Sequence, residues 1–186
     1  MSRFLPLLLA MSMTLLAAPV QATEAGWAML REGGHVVLLR HAYSVGGQAA
    51  APNEAAACRA GRGLTDRGQQ QARRIGSLFL ARAQVVDQVY TGRSCRARQT
   101  ADLAFRGADI MDLPALDEPA DDVAAAAAVA EIRALVEQYA EPENLVLVTN
   151  DVTIRALTGQ AAREGEALIV RPVGELLHVA ARIVFN

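Results

Sequence analysis

Two neighbouring side chains, Arg40 and His41, end the apolar run Val36-Val37-Leu38-Leu39 and open onto Ala42-Tyr43-Ser44-Val45-Gly46-Gly47. A neutral imidazole can attack phosphorus and hold the phosphoryl group covalently. An adjacent guanidinium disfavours protonation of that imidazole and neutralises the transferring phosphoryl oxygens. His41 is therefore a candidate nucleophile and Arg40 its phosphate ligand; the bland alternative is a structural histidine at a strand end. Arg96, within "VYTGRSCRARQTAD", is a second candidate. It lies near the start of a predicted helix, where free N–H groups and the macrodipole favour anions. Arg93 and Arg98 flank it; Arg96 is expected to face the site and Arg98 to support structure. A third polar cluster, Thr149-Asn150-Asp151, ends the apolar run Leu145–Val148 in the same way.

These residues need elements that bring them together. Val36–Leu39, Val85–Tyr90 and Leu145–Thr149 read as short buried strands. Ala108–Leu113 is a further short strand, and Ala167–Val170 and Leu176–Phe185 are closing strands or a hairpin. Thr65 can cap a helix over Asp66–Ala83, whose apolar face is Ala72, Ile75, Leu78 and Phe79. Helices are also expected over Cys95–Phe105, over the alanine-rich Asp121–Tyr139, and from Val152 to Leu157, stopping near Gly159. Strands alternating with helices predict an α/β fold, a three-layer sandwich around a mostly parallel central sheet. In such sheets ligands bind beyond the carboxyl ends of the strands. Arg40-His41, Thr91–Arg96 and Thr149–Asp151 all fall at such ends.

Residues 1–22 have the pattern of a secretory signal: Arg3, an apolar stretch from Leu5 to Ala18, and small residues at Val20-Gln21-Ala22. Pro19 and Gln21 interrupt the run before it reaches the ~20 residues of a membrane anchor. Cleavage after Ala22 would leave residues 23–186 as one domain, periplasmic or secreted, with no stable membrane insertion. The formal net charge of −2 argues against nucleic acid as a partner. All 18 basic residues are arginine, so a P-loop lysine is excluded. The three histidines are too few and scattered for a metal site, and no cofactor is expected. Cys58 and Cys95 are an even pair in an exported chain, which favours a disulfide over two separate thiols. The closed loop would be worth about 3–4 kcal/mol on the chain-entropy model.

Four segments resemble the histidine phosphatase superfamily, the phosphoglycerate mutase-like fold. "LLRHA" matches its Arg-His-Gly/Ala signature, and "GLTDRGQQQARRIG" its L-T-x-x-G-x-x-Q-A helix. "VYTGRSCRARQTA" is similar to its Y-S-S-P-x-x-R-A-x-x-T-A segment, and "LVLVTNDVTIRALTG" to V-L-V-x-H-x-x-x-I-x-A-L. The short, exported, cysteine-paired form resembles bacterial periplasmic members. The resemblance implies that His41 is the phosphorylated nucleophile and that Arg40 and Arg96 bind phosphate. It places the family's second histidine at Asn150, whose amide can donate to a phosphoryl oxygen but cannot carry charge. Neither His35 nor His178 lies in that motif. The resemblance also implies a general acid in "LPALDEPADDV": Glu118 first, Asp121 second, unless these acids merely precede or cap a helix.

The expected activity is hydrolysis of phosphomonoesters through phospho-His41, weakened by Asn150. The alternative is a pseudophosphatase that binds phosphate or phosphoesters without turnover. The partner would be a small phosphorylated substrate or an exposed phosphate on an envelope molecule.

Overall fold

The computed structural model describes residues 18–45, 58, 63–83 and 85–185. The elements in chain order are α1 (Ala18–Glu32), β1 (Val36–Arg40), α2 (Asp66–Arg82), β2 (Val86–Thr91), α3 (Cys95–Ala104) and β3 (Asp109–Asp112). A 3₁₀ turn (Pro114–Leu116), α4 (Asp122–Gln138), β4 (Asn144–Thr149), α5 (Asp151–Thr158), β5 (Ala167–Val173) and β6 (Leu176–Ile183) follow. Residues 1–17, which hold most of the expected signal, lie outside the described residues, as does most of the 51–63 loop.

One six-stranded sheet runs β3-β2-β4-β1-β5-β6. The β1–β4, β2–β4 and β2–β3 pairs are parallel, while β5 and β6 close the sheet antiparallel. The expected mixed α/β sandwich is therefore present, with its predominantly parallel centre.

The unbroken apolar runs of β1 and β4 follow from burial on both faces. Because side chains alternate along a strand, Val37, Leu39, Val146 and Val148 enter one core with Trp27, Ile75, Phe79, Ala97 and Phe105. Val36, Leu38, Leu145 and Leu147 enter the other with Leu116, Ile132, Val136, Ile154 and Leu157. Helices α1, α2 and α3 thus cover one face of the sheet, and α4 and α5 the other. Where α2 crosses α3, a Cβ on Gly76 would lie 2.0 Å from Ala104 O, so a glycine is required.

Helix caps agree with the side chains available. Thr65 Oγ1 accepts from Gly68 N at 3.0 Å, and Asp121 Oδ1 accepts from Ala124 N at 2.8 Å. Gly159 ends α5 in the left-handed region at φ 70°. No element is expected across α1 from the sequence alone. That helix buries Trp27 and Leu30, with the indole edge-on to Phe79 at 5.6 Å and Phe185 at 5.8 Å. Glu24 pairs with Arg82 at 2.7 Å across the gap to α2. None of the helices among the described residues is long and apolar enough to cross a membrane.

Candidate active site

The strand ends are joined by backbone bonds that continue the sheet into the site. His41 N donates to Thr149 O at 2.9 Å, and Gly92 N donates to Val148 O at 3.0 Å. The ends of β1, β4 and β2 are thereby held in one layer. Gly92 must be small, because a Cβ there would stand 2.8 Å from Leu116 O.

His41 is buried, with 3% of its surface exposed. Its Nδ1 lies 2.9 Å from Ala42 O. A carbonyl only accepts, so Nδ1 carries the proton and Nε2 the lone pair. Burial pushes the imidazolium down to about 4; the Ala42 bond and Glu164 oppose this, and the charges of Arg96 and Arg40 add to it. The ring is neutral at neutral pH with its lone pair on Nε2, the protonation state a nucleophile needs. The backbone beneath it is held by Thr100, whose Oγ1 accepts from Ala42 N at 3.0 Å and donates to Arg96 O at 2.7 Å.

Arg40 and Arg96 both act electrostatically on His41. Arg40 Nη1 donates to Ala162 O at 2.6 Å and lies 3.6 Å from Asp151 Oδ1. Its Nε is buried without a hydrogen-bond partner, a position that costs free energy unless an acceptor is supplied. Arg96 sits in the first turn of α3, where Ser94 Oγ accepts from Ala97 N at 3.3 Å. Arg96 Nη2 is 3.2 Å from Glu118 Oε2, so this acid stands beside a phosphate-ligand candidate, whereas Asp121 caps α4. Arg93 pairs with Asp117 at 2.7 Å. Arg98 pairs with Asp112 at 2.6 Å and Asp102 at 3.7 Å.

Asn150 lies at the end of β4 and is buried. Its Oδ1 accepts from Thr153 N at 2.9 Å, capping α5. Its Nδ2 donates to Leu116 O at 3.2 Å and Thr153 Oγ1 at 3.0 Å, with Thr149 Oγ1 at 3.4 Å. The amide expected to reach a phosphoryl oxygen is thus engaged by the protein itself. Asp151 faces Arg40, Arg155 and the Ala162 N–H. Partial burial pushes its carboxyl up, but the bonds from Arg155 and Ala162 and the charge of Arg40 outweigh that and hold it below its ordinary value.

Cys58 and Cys95 are joined in a disulfide at a sequence separation of 37. The bridge ends one residue before Arg96. Three contributors escaped the sequence reading: Glu164, 3.9 Å from His41 Nδ1; Gln71, which accepts from Tyr43 N at 3.0 Å; and Thr100. Gln71 and Thr100 are the Gln and Thr of the quoted L-T-x-x-G-x-x-Q-A and R-A-x-x-T-A segments, which by themselves give them no role, whereas Glu164 lies in none of the four segments and reaches the site only through tertiary packing. Among the described residues no group of acidic, histidine and cysteine side chains could hold a metal ion.

Arg40, His41, Arg96 and Asn150 are thus carried at the carboxyl edge of a phosphoglycerate mutase-like sheet. Residues 36–125 match the family model described as histidine phosphatase superfamily (branch 1). In fold the chain is similar to a phosphoserine phosphatase variant from Entamoeba histolytica in complex with phosphoserine. The TM-score is 0.61 at 12% identity, covering 82% of this chain and 98% of that one. It is also similar to the alpha-ribazole phosphatase from Shigella flexneri, with TM-score 0.55, 16% identity, and 82% and 97% covered. A third similar structure is the protein histidine phosphatase SixA complexed with tungstate, with TM-score 0.55, 16% identity, and 80% and 96% covered. No curated protein matches the chain in sequence. The likeness to the histidine phosphatase superfamily holds in both sequence and fold.

Proposed function

We propose that this protein is an exported phosphomonoester hydrolase that works through a phosphohistidine at His41. The observation that carries the proposal is the state of His41: buried, neutral, with Nδ1 committed to Ala42 O. Arg40 and Arg96 would hold the phosphoryl oxygens while Nε2 attacks phosphorus. Glu118, beside Arg96, would protonate the leaving oxygen. Water then attacks phosphorus and frees Nε2. The substrate would be a small phosphorylated molecule or an exposed phosphate on an envelope molecule. The phosphatases named in the three structural relatives support the class of reaction, and the Cys58–Cys95 bridge supports an oxidising, periplasmic or secreted setting. The mature domain would comprise residues 23–186, after removal of a signal at 1–22.

Asn150 favours a second reading. Its amide is occupied, so the pocket has neither the cation nor the free donor of a histidine there. Losing one preorganised donor costs about 10²–10³ in rate. A phosphate-binding pseudophosphatase retains Arg40, His41 and Arg96 without appreciable turnover. The deciding experiment incubates the folded protein with a panel of phosphomonoesters and looks for phosphate release and an acid-labile phosphoenzyme. Both are expected, and both are lost in His41→Ala. Absence of both, with vanadate still bound, selects the pseudophosphatase.

A further inference from the structure

Glu164 lies on the side of His41 away from Nε2, and the reaction outlined above does not use it. Its Oε1 accepts from Ser44 N at 3.1 Å and from Ser44 Oγ at 3.0 Å. The same oxygen is 3.9 Å from His41 Nδ1. The turn that carries Glu164 is clamped to the His41 segment. Gln71 Nε2 donates to Glu164 O at 3.1 Å while Gln71 Oε1 accepts from Tyr43 N at 3.0 Å. Gly165 N donates to His41 O at 2.9 Å, with Arg40 O at 3.2 Å. Gly165 has φ 76°, and a Cβ there would collide with the Gln71 side chain. Backbone and side-chain bonds together hold the carboxylate near the ring.

We propose that Glu164 is a positioning residue for His41, a carboxylate on the Nδ1 side that stabilises the positive charge the ring acquires when Nε2 is phosphorylated. This rests on the phosphohistidine reading. As Nε2 attacks, the Nε2–P bond forms and the P–O ester bond breaks. The ester oxygen leaves with the electron pair and takes a proton from the general acid. Nδ1 keeps its proton, so the ring carries one positive charge in the phosphoenzyme. When water attacks phosphorus it gives a proton to the carboxylate left by the general acid, the Nε2–P bond breaks, the pair returns to Nε2 and the ring is neutral again.

A buried ring holds such a charge at a cost unless a partner offsets it. The charged groups acting on His41 are Arg96, Arg40 and Glu164. The two arginines disfavour charge on the ring; the Ala42 carbonyl bond favours it, and Glu164 is the one charged group among these that adds to that. A carboxylate at this distance shifts such an equilibrium by roughly one to three pH units. Glu164 is 27% exposed, so solvent screening places the effect at the lower end.

The test is Glu164→Gln, which keeps an oxygen for Ser44 and removes the charge. The His41 ring titration, followed by NMR, is expected to move to lower pH. With p-nitrophenyl phosphate, kcat/KM is expected to fall about tenfold, the equivalent of one pH unit, with KM little changed. Glu164→Asp should recover part of both. An unmoved His41 titration overturns the proposal, because a carboxylate that merely caps Ser44 would affect melting alone. A moved titration with unchanged kcat/KM overturns it as well. Should the wild-type protein prove to have no turnover, the phosphohistidine reading fails on that observation. The titration still reports separately whether Glu164 acts on the ring. If Glu164→Gln does not fold, Ser44→Ala releases one of the two bonds on the carboxylate. An intermediate titration shift is then expected, and no shift overturns the proposal.

Discussion

The Asn150 Oδ1 atom accepts the Thr153 backbone N–H at 2.9 Å, tying the residue at the end of β4 to the first turn of α5. A residue expected to meet phosphate is therefore a helix cap. Asn150→His should separate the two roles. Loss of the cap and of the donor to Leu116 O should lower stability by about 1–2 kcal/mol. A second histidine beside the phosphate should raise phosphoenzyme formation by about 10²-fold. Thermal unfolding and a single-turnover phosphorylation assay read the two effects. Loss of stability without any gain in phosphorylation would show that the missing histidine is not what limits the site.

The burial of His41 fixes a pH dependence. The folded ring titrates at about 4 and the unfolded ring near its ordinary value of about 6.5. Between those values the unfolded chain binds more protons, so stability rises with pH there. The contribution is present above about pH 6.5 and is lost as pH falls through 4. Its full size is about 3 kcal/mol, from 1.36 kcal/mol per pH unit. Asp151, held below its ordinary carboxylate value, loses its contribution in a lower window, as pH falls through its folded value. Chemical denaturation from pH 7 to pH 4 should show the first slope, and His41→Asn should flatten it.

The Cys58–Cys95 bridge closes a loop spanning 37 residues. Chain entropy then assigns it about 3–4 kcal/mol of stability. The non-reduced protein should show no reactive thiol in denaturant. The double variant Cys58→Ser/Cys95→Ser should unfold at correspondingly lower denaturant. A difference below about 1 kcal/mol would mean that the denatured chain is already compact across this loop.

The parts of the fold that could be read in advance share a local cause. Val36–Leu39 and Leu145–Val148 are apolar on both faces because both strands are buried on both faces. Thr65, Asp121 and Gly159 are capping residues in the positions where helices begin or end. The β-strand ends at His41 and Thr149 could be inferred to lie together because parallel strands share a carboxyl edge. Helix α1 was not legible: its fully buried anchors are a single i,i+3 pair, Trp27 and Leu30, beside an apolar leader-like stretch. Glu164 was not legible either, because its partners Ser44 and His41 lie far away in sequence, and Gln71, though in a quoted segment, has its partner Tyr43 28 residues away. The turning of the Asn150 amide toward Leu116 O depends on the 3₁₀ turn, whose position no local pattern gives.

Trp27 tests whether α1 belongs to the folded domain. The indole is 1% exposed and contacts Phe79 and Phe185 edge-on. Truncating a large buried aromatic costs about 3–5 kcal/mol. Trp27→Ala should lower the unfolding free energy by that amount and leave the affinity for vanadate unchanged in the remaining folded protein. Both Trp27 and its helix mate Leu30 lie after Ala22, so a chain cut there keeps the anchors.

Arg96 and Arg98 are two residues apart on α3 and should behave very differently. Arg96 is about one-fifth exposed, pairs with Glu118 at 3.2 Å and acts on His41. Arg98 pairs with Asp112 and Asp102 at the surface, where such pairs contribute about 0–1 kcal/mol. A charged donor to a bound anion contributes about 1.5–3 kcal/mol, or roughly 10- to 150-fold in affinity. Arg96→Gln should weaken vanadate binding by that factor and should also let His41 titrate at higher pH, because one of the cations that disfavours its protonation is gone. Arg98→Gln should change neither by more than about twofold. Isothermal titration with vanadate and the His41 ring titration provide the two readings. Equal effects from the two variants would remove Arg96 from the phosphate site and leave Arg40 as its main cation.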